Sequence, residues 1–106
     1  MNKGQKLLKK AKKIIPGGNQ LLSKRSEIFL PGVWPTYYKK AKGCKVWDLN
    51  NKMYYDFAGM GVTSCVLGYS NTNINKSLTN GLKNGSMCTL NAPEEFDLAK
   101  KLLKIH

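Results

Sequence analysis

Between Thr36 and Phe57 the chain carries three short β-type runs, Thr36 to Lys42, Cys44 to Leu49 and Met53 to Phe57, separated by Lys42-Gly43 and Asn50-Asn51. Such runs bounded by turn residues predict an antiparallel meander. Asn50-Asn51 suits the positive φ values of a two-residue hairpin turn. Val46, Trp47, Tyr54, Tyr55 and Phe57 supply the aromatic and β-branched bulk that a pleated surface packs. Three strands of this length do not stand alone in water, so at least one face needs cover, and the rest of the chain is read as what could provide it.

Helical patterns flank the meander. Residues 2 to 15 place Leu7, Leu8, Ala11, Ile14 and Ile15 on one face with six lysines around the remainder, and Pro16-Gly17-Gly18 ends the pattern. We read it as a surface helix docking its apolar stripe, since it lacks the Trp or Phe anchors of a membrane-surface helix. Asn71 or Asn73 can cap a second helix carrying Ile74, Leu78 and Leu82, closed by Gly85. Asn91 with Glu94 three residues on, and Pro93 in the first turn, predicts a last helix with Phe96, Ala99, Leu102 and Leu103 inward. No Gly, Asn or Pro follows that helix before His106, which leads us to expect a longer polypeptide. The expected fold is thus an α+β fragment: one N-terminal helix, a three-stranded antiparallel meander, then two helices.

At 106 residues the chain has room for one small domain. No apolar run approaches the roughly 20 residues needed to cross a bilayer, and no secretory signal is legible, so a cytoplasmic location is expected. Cys44, Cys65 and Cys88 lack paired metal-site spacing, and the single histidine is His106, so zinc sites and Ser-His-Asp or Cys-His catalysis are not expected. The net charge of +12 raises nucleic acid or an acidic surface as partner of a free-standing basic module. Composition argues against it: all the basic residues but Arg25 are lysine, whereas base-edge recognition favours the guanidinium fork. The accompanying asparagines point instead to coding bias and a solvated face.

Two irregular segments hold the candidate contact residues. From Asn19 to Pro35 no period is visible, and a long irregular connection is uncommon unless it lines a site. Ser23, Lys24 and Arg25 are therefore candidates for contact with an anionic group. The second segment opens at Gly59-Met60-Gly61 and runs through Gly68. Its glycines permit close backbone approach, but GMGVTS is not the G-x-G-x-x-G phosphate fingerprint.

The strings AKKIIPGGNQLLSKR, KAKGCKVWDLNNKMYYDFAGMG and LNAPEEFDLAKKLLKIH, in this order, resemble the N-terminal part of class III aminotransferases. The resemblance covers residues 5 to 106 and is closest to glutamate-1-semialdehyde 2,1-aminomutase-like members. Its most specific part is KGCKVWDLNNKMYYDF, similar to the family's glycine, then W-D, a turn, then Y-x-D. Asn51 stands where relatives often have glycine, and Tyr69 replaces a histidine in the segment Leu67 to Ser70.

The resemblance implies a fold type I enzyme dependent on pyridoxal 5'-phosphate, usually dimeric and moving an amino group between small donor and acceptor substrates. Residues 1–18 would be the N-terminal helix and its PGG turn, 19–35 an irregular loop, and 36–106 the meander and helices of the small domain leading into a large domain outside this chain. The Schiff-base lysine lies in that large domain in the family, so no catalytic or cofactor-binding residue is assigned here, and the fragment alone is expected to be inactive. The loop after P-G-G supplies a serine and an arginine that hold the substrate carboxylate in aminomutase relatives. By that resemblance Ser23, Lys24 and Arg25 are substrate-binding candidates, Lys24 nearest by direct counting and Arg25 one place later. Met60 and Gly61 stand where aminomutases have a serine and a tryptophan lining the substrate site.

Overall fold

The computed structural model describes residues 1–59 and 61–106, whose contacts divide into two units, Met1–Asn71 and Thr72–His106. In the first unit, helix α1 spans Lys3–Ala11, and the Asn2 side chain accepts a hydrogen bond from the Gln5 amide at 2.8 Å as its N-cap. Gly4, Leu8 and Ala11 form its buried face. Gly4 belongs there because the Pro35 carbonyl sits where a Cβ would be. The helix stops four residues short of the expected Ile15. Pro16 forces the preceding residue into extended backbone, and Ile15 adopts φ −121° and ψ 119°. The chain leaves the helix through a tighter turn over residues 12–14, so Ile14 is 82% exposed instead of docked, and Leu7 also faces solvent.

The aperiodic stretch after α1 is not formless. It winds through three single 3₁₀ turns, Pro16–Gly18, Leu22–Lys24 and Ser26–Ile28, and Phe29 then stacks on Trp34 with ring centroids 4.3 Å apart.

The meander forms as β1 (Tyr38–Lys42), β2 (Lys45–Asp48) and β3 (Met53–Tyr55), antiparallel in the order β1-β2-β3. Register pairs Lys40 with Trp47 and Trp47 with Met53, and pairs Ala41 with Val46 and Val46 with Tyr54. Successive residues alternate faces. One face therefore carries Lys40, Lys42, Lys45, Trp47, Met53 and Tyr55; there the Lys40 ammonium lies 4.7 Å from the Trp47 ring centroid and that of Lys45 lies 5.6 Å from Tyr55. The other face carries Ala41, Val46, Asp48 and Tyr54 and is the better buried.

The two turns differ in what holds them. The first passes through Gly43 (φ +57°), whose N–H and C=O exchange 2.9 Å hydrogen bonds with the C=O and N–H of Tyr69. Gly68 (φ +82°) makes this approach possible, since a Cβ there would stand 3.0 Å from the Gly43 Cα. The Tyr69 hydroxyl donates to Asp56 Oδ2 at 2.7 Å, which anchors the returning chain just past the end of β3.

The second turn departs from the expected two-residue Asn50-Asn51 hairpin. Its loop spans three residues, 49–51, closed by a 3.0 Å bond from the Asp48 N–H to the Lys52 C=O, and of the two asparagines only Asn51 has positive φ, at 64°. The reason is the Asp48 side chain, 4% exposed. Its Oδ1 accepts from the backbone N–H groups of Asn50 and Lys52, each at 2.8 Å, and its Oδ2 accepts from the Tyr54 hydroxyl at 3.4 Å. A carboxylate reaching over its own turn in this way needs one more residue of loop than a type I′ turn provides.

In the second unit, α2 spans Thr72–Lys83 and ends at Gly85 (φ +92°), whose N–H bonds to the Leu82 C=O. Helix α3 spans Pro93–Ile105 with Pro93 in its first turn. The expected Asn91–Glu94 capping box does not form, because the N-cap position falls on Ala92, one residue after Asn91. Ile74, Leu78 and Leu82, like Phe96, Leu102 and Leu103, keep their helical spacing but stay exposed instead of facing inward, because two short helices do not enclose a core within this unit. Among the described residues no helix is long and apolar enough to cross a membrane.

Burial alone would raise the Asp48 pKa, but the Lys52 and Asn50 amides outweigh it and hold the group below the ordinary carboxylate value of 3.8. The stability it contributes is present above that value and lost as pH falls below it. Asp48→Ala is expected to weaken the hairpin by about 1–3 kcal/mol, the cost of stranding buried donors, measured as faster amide exchange at Asn50 and Lys52. The Asp56 carboxylate, accepting the Tyr69 proton, raises the pKa of that phenol to about 12. Tyr69 should therefore resist ionisation past its reference value of 10.0 when absorbance near 295 nm is followed to high pH, and Asp56→Asn should remove the delay. The stability from this pair is present below pH 10 and lost as pH rises through about 12.

Candidate functional site

Pro16-Gly17-Gly18 does more than end a helix. Gly17 (φ +75°) and Gly18 (φ +82°) both occupy left-handed backbone, which an L side chain reaches only with strain. Each bare Cα also leaves room for a neighbour. A Cβ on Gly18 would meet Leu8 Cδ1 at 2.9 Å, so this glycine seats the turn on α1. A Cβ on Gly17 would meet the Arg25 guanidinium carbon at 2.8 Å, so this glycine seats the Arg25 side chain.

Arg25 is thereby drawn back against the PGG turn. Its side chain is half-buried, and its Nε is enclosed with no hydrogen-bond partner. The Asn19 Oδ1, one residue past the turn, is likewise enclosed and unpartnered. A buried donor or acceptor left unpaired costs free energy. Beside the Arg25 head group is an open groove of about 480 Å³ lined by Lys12, Gly17, Leu22, Arg25, Glu27 and Ile28.

Lys12 and Glu27 form an ion pair at this groove, and the ammonium holds the Glu27 carboxyl below its usual pKa range. Ser26, itself buried, adds a 3.4 Å bond from its hydroxyl to Glu27 Oε2.

Of the residues singled out in the sequence, Arg25 lines the groove, whereas Ser23 and Lys24 lie exposed in the 3₁₀ turn before it. Met60 lies outside the described residues. Gly61 (φ +67°) belongs to a separate loop, where Val62 and Thr63 are also left-handed, an uncommon conformation for β-branched residues. The Ser64 hydroxyl closes that loop by donating to the Gly61 carbonyl at 2.6 Å. Sequence reasoning missed Asn19, Glu27 and the apolar pair Leu22 and Ile28. Glu27 was legible, being the sole acid before Asp48 in a strongly basic chain.

Cofactor chemistry finds less support in these residues. A Schiff-base lysine needs burial or cationic neighbours to free its amine, and every lysine of this chain is exposed. The residues present do not make a pyridoxal-phosphate site by themselves. Among the described residues no three His, Cys, Asp or Glu side chains converge as metal ligands, and Cys44, Cys65 and Cys88 are unpaired.

Comparison with known proteins gives a consistent set of relatives. No family model matches the chain. It is 30% identical to the 3-aminobutyryl-CoA aminotransferase of Cloacimonas acidaminovorans, covering 93% of this chain and 24% of that protein. With the glutamate-1-semialdehyde 2,1-aminomutase of Nitrosopumilus maritimus it shares 32% identity, covering 92% of this chain and 22% of the aminomutase. The chain thus spans less than a quarter of these relatives' length. Among solved structures, the pyridoxal-phosphate internal aldimine form of the FumI protein from Sphingopyxis sp. MTA144 superposes with a TM-score of 0.79 at 24% identity, over 92% of this chain and 23% of FumI. An omega-transaminase from Sphaerobacter thermophilus gives 0.79 at 21% identity, over 97% of this chain and 22% of the transaminase. None of these findings supports a free-standing nucleic-acid-binding module. In sequence and in backbone the chain corresponds to the N-terminal segment of the class III, fold type I aminotransferases and aminomutases, a family of pyridoxal-phosphate-dependent enzymes.

Proposed function

We propose that this chain is the N-terminal part of a pyridoxal-phosphate-dependent enzyme that moves an amino group, and that Arg25 holds the carboxylate of its donor or acceptor. The observation that carries the reading is the guanidinium seated on the bare Cα of Gly17, its Nε enclosed and unpartnered beside an open groove. A planar fork fixed in place loses little freedom on binding and matches the two oxygens of a carboxylate. Lys24, the nearest candidate by counting, is exposed on a flexible stem and offers only a point charge to solvent.

In this reading the segment binds and orients the substrate. The Gly17-Gly18 turn fixes the direction of Arg25. The carbon–nitrogen chemistry rests on residues outside residues 1–106, because no lysine here has the burial it requires. The whole enzyme is read as a cytoplasmic dimer, as is usual for the family, and the aminotransferase and aminomutase names of the relatives leave two reaction types to test.

Arg25→Ala in the cofactor-loaded full-length protein is expected to raise KM for the carboxylate substrate about 10- to 100-fold, the worth of a hydrogen bond to a charged group. Arg25→Lys should recover only part of the loss, and Lys24→Ala should change KM less than about twofold. Gly17→Ala should mimic the loss at Arg25 by displacing the guanidinium. Steady-state kinetics on the four variants checks the set; equal effects at positions 24 and 25 would refute the assignment.

A further inference from the structure

The meander has two edges, and they are built differently. At one edge β1 carries Lys39, Lys40 and Lys42, with a register shift between Tyr38 and Lys40. Lysines and bulges are means by which an edge strand is kept from pairing with another chain. At the other edge β3 reads Met53-Tyr54-Tyr55 in unbroken register with β2 and has neither device. The Asp48 N–H bonds to the Lys52 C=O and the Asp56 N–H to the Cys44 C=O, so the even-numbered residues here turn their backbone groups toward β2. Met53 and Tyr55 turn theirs outward, to an edge that no other strand among the described residues occupies. Two residues supply few bonds, so side chains must add to the hold on anything that docks there.

The side chains beside that edge state the chemistry of the occupant. Lys42 and Lys45 are register partners, and two ammonium groups directly opposite each other cost stability that a nearby anion restores. Lys45 reaches over the edge strand, its ammonium 5.6 Å from the Tyr55 ring centroid. Tyr55 lies 6.4 Å from Phe57, which is 96% exposed and prolongs the aromatic surface. No acid within Met1–Asn71 answers this charge: Glu27 is paired with Lys12, while Asp48 and Asp56 accept from the Tyr54 and Tyr69 hydroxyls.

We propose that the open edge of β3 takes an extended acidic segment of a partner polypeptide as a fourth strand, with carboxylates at alternate positions on the lysine face. An added strand lies about 4.8 Å from β3, and the residue opposite Tyr55 shares its face. A carboxylate there meets the Lys45 ammonium, while the outward backbone groups of Met53 and Tyr55 extend the ladder. A second copy of this chain fits less well, because at a net charge of +12 it would be repelled. The proposal makes no use of Arg25 and stands apart from its groove.

The test uses the full-length, cofactor-loaded protein and a labelled heptapeptide alternating valine and glutamate, followed by fluorescence anisotropy and amide hydrogen exchange. The peptide is expected to bind, to slow exchange at Met53 and Tyr55, and to lose affinity as salt rises. Lys45→Ser and Lys42→Ser should each weaken it about twofold to fivefold, the worth of an exposed ion pair. A peptide N-methylated at its glutamates, which removes the ladder bonds without altering the protein, should not bind. Four results overturn the proposal: no binding, binding without protection at Met53 and Tyr55, equal binding of a peptide with lysine in place of glutamate, or affinity unmoved by both replacements. Slow exchange at those two amides before peptide is added also overturns it. Protection that grows with protein concentration would then assign the edge to a second copy, and constant protection would assign it to the rest of the same polypeptide.

Discussion

The buried carboxylate of Asp48 is the constraint on which the first unit turns. It has almost no contact with solvent, and two backbone amides and a tyrosine hydroxyl satisfy it. Those bonds decide the length of the second hairpin loop, and the loop sets the register in which Trp47 meets Met53 and Val46 meets Tyr54. Register in a sheet with one better-buried face cannot slip by a residue without turning every side chain over. A single acid thus fixes which face of the meander is wet. Exposed lysines on that face set their ammonium groups over aromatic rings.

The candidate site depends on absent side chains more than on present ones. Gly4 admits the Pro35 carbonyl, Gly18 admits Leu8, Gly17 admits Arg25 and Gly68 admits the backbone of Gly43. At three of these four positions the backbone is also left-handed, so an alanine would be penalised twice, by conformation and by contact. The result is an arginine held at a turn in a segment that otherwise has little regular structure.

Much of this was legible in the residues. The meander, the three helices and the Pro16-Gly17-Gly18 stop all follow from period and turn chemistry, and the family resemblance rests on the strings that form them. What escaped were effects of reach. The helix over residues 2 to 15 lost its last turn to the restriction that Pro16 places on Ile15, a local rule that outweighed a good apolar period. The Asn50-Asn51 turn gained a residue through a side chain two positions upstream. Lys24 and Arg25 could not be separated by counting, because the distinction lies in the space above Gly17, which no spacing encodes. Glu27 itself stood out as the sole acid before Asp48; what no local pattern shows is its partner, because Lys12 is 15 residues away.

By the resemblance drawn from the sequence, Tyr69 stands in place of a histidine, and its hydroxyl makes the bond to Asp56. An imidazole there would change its charge close to neutrality, so the joint between the strand end and the returning chain would respond to cellular acidity. A phenol whose proton is held to about pH 12 does not. With a phenol as the donor, the hydrogen bond that ties Tyr69 to the chain just past β3 keeps its proton throughout the range in which an imidazole would gain or lose one.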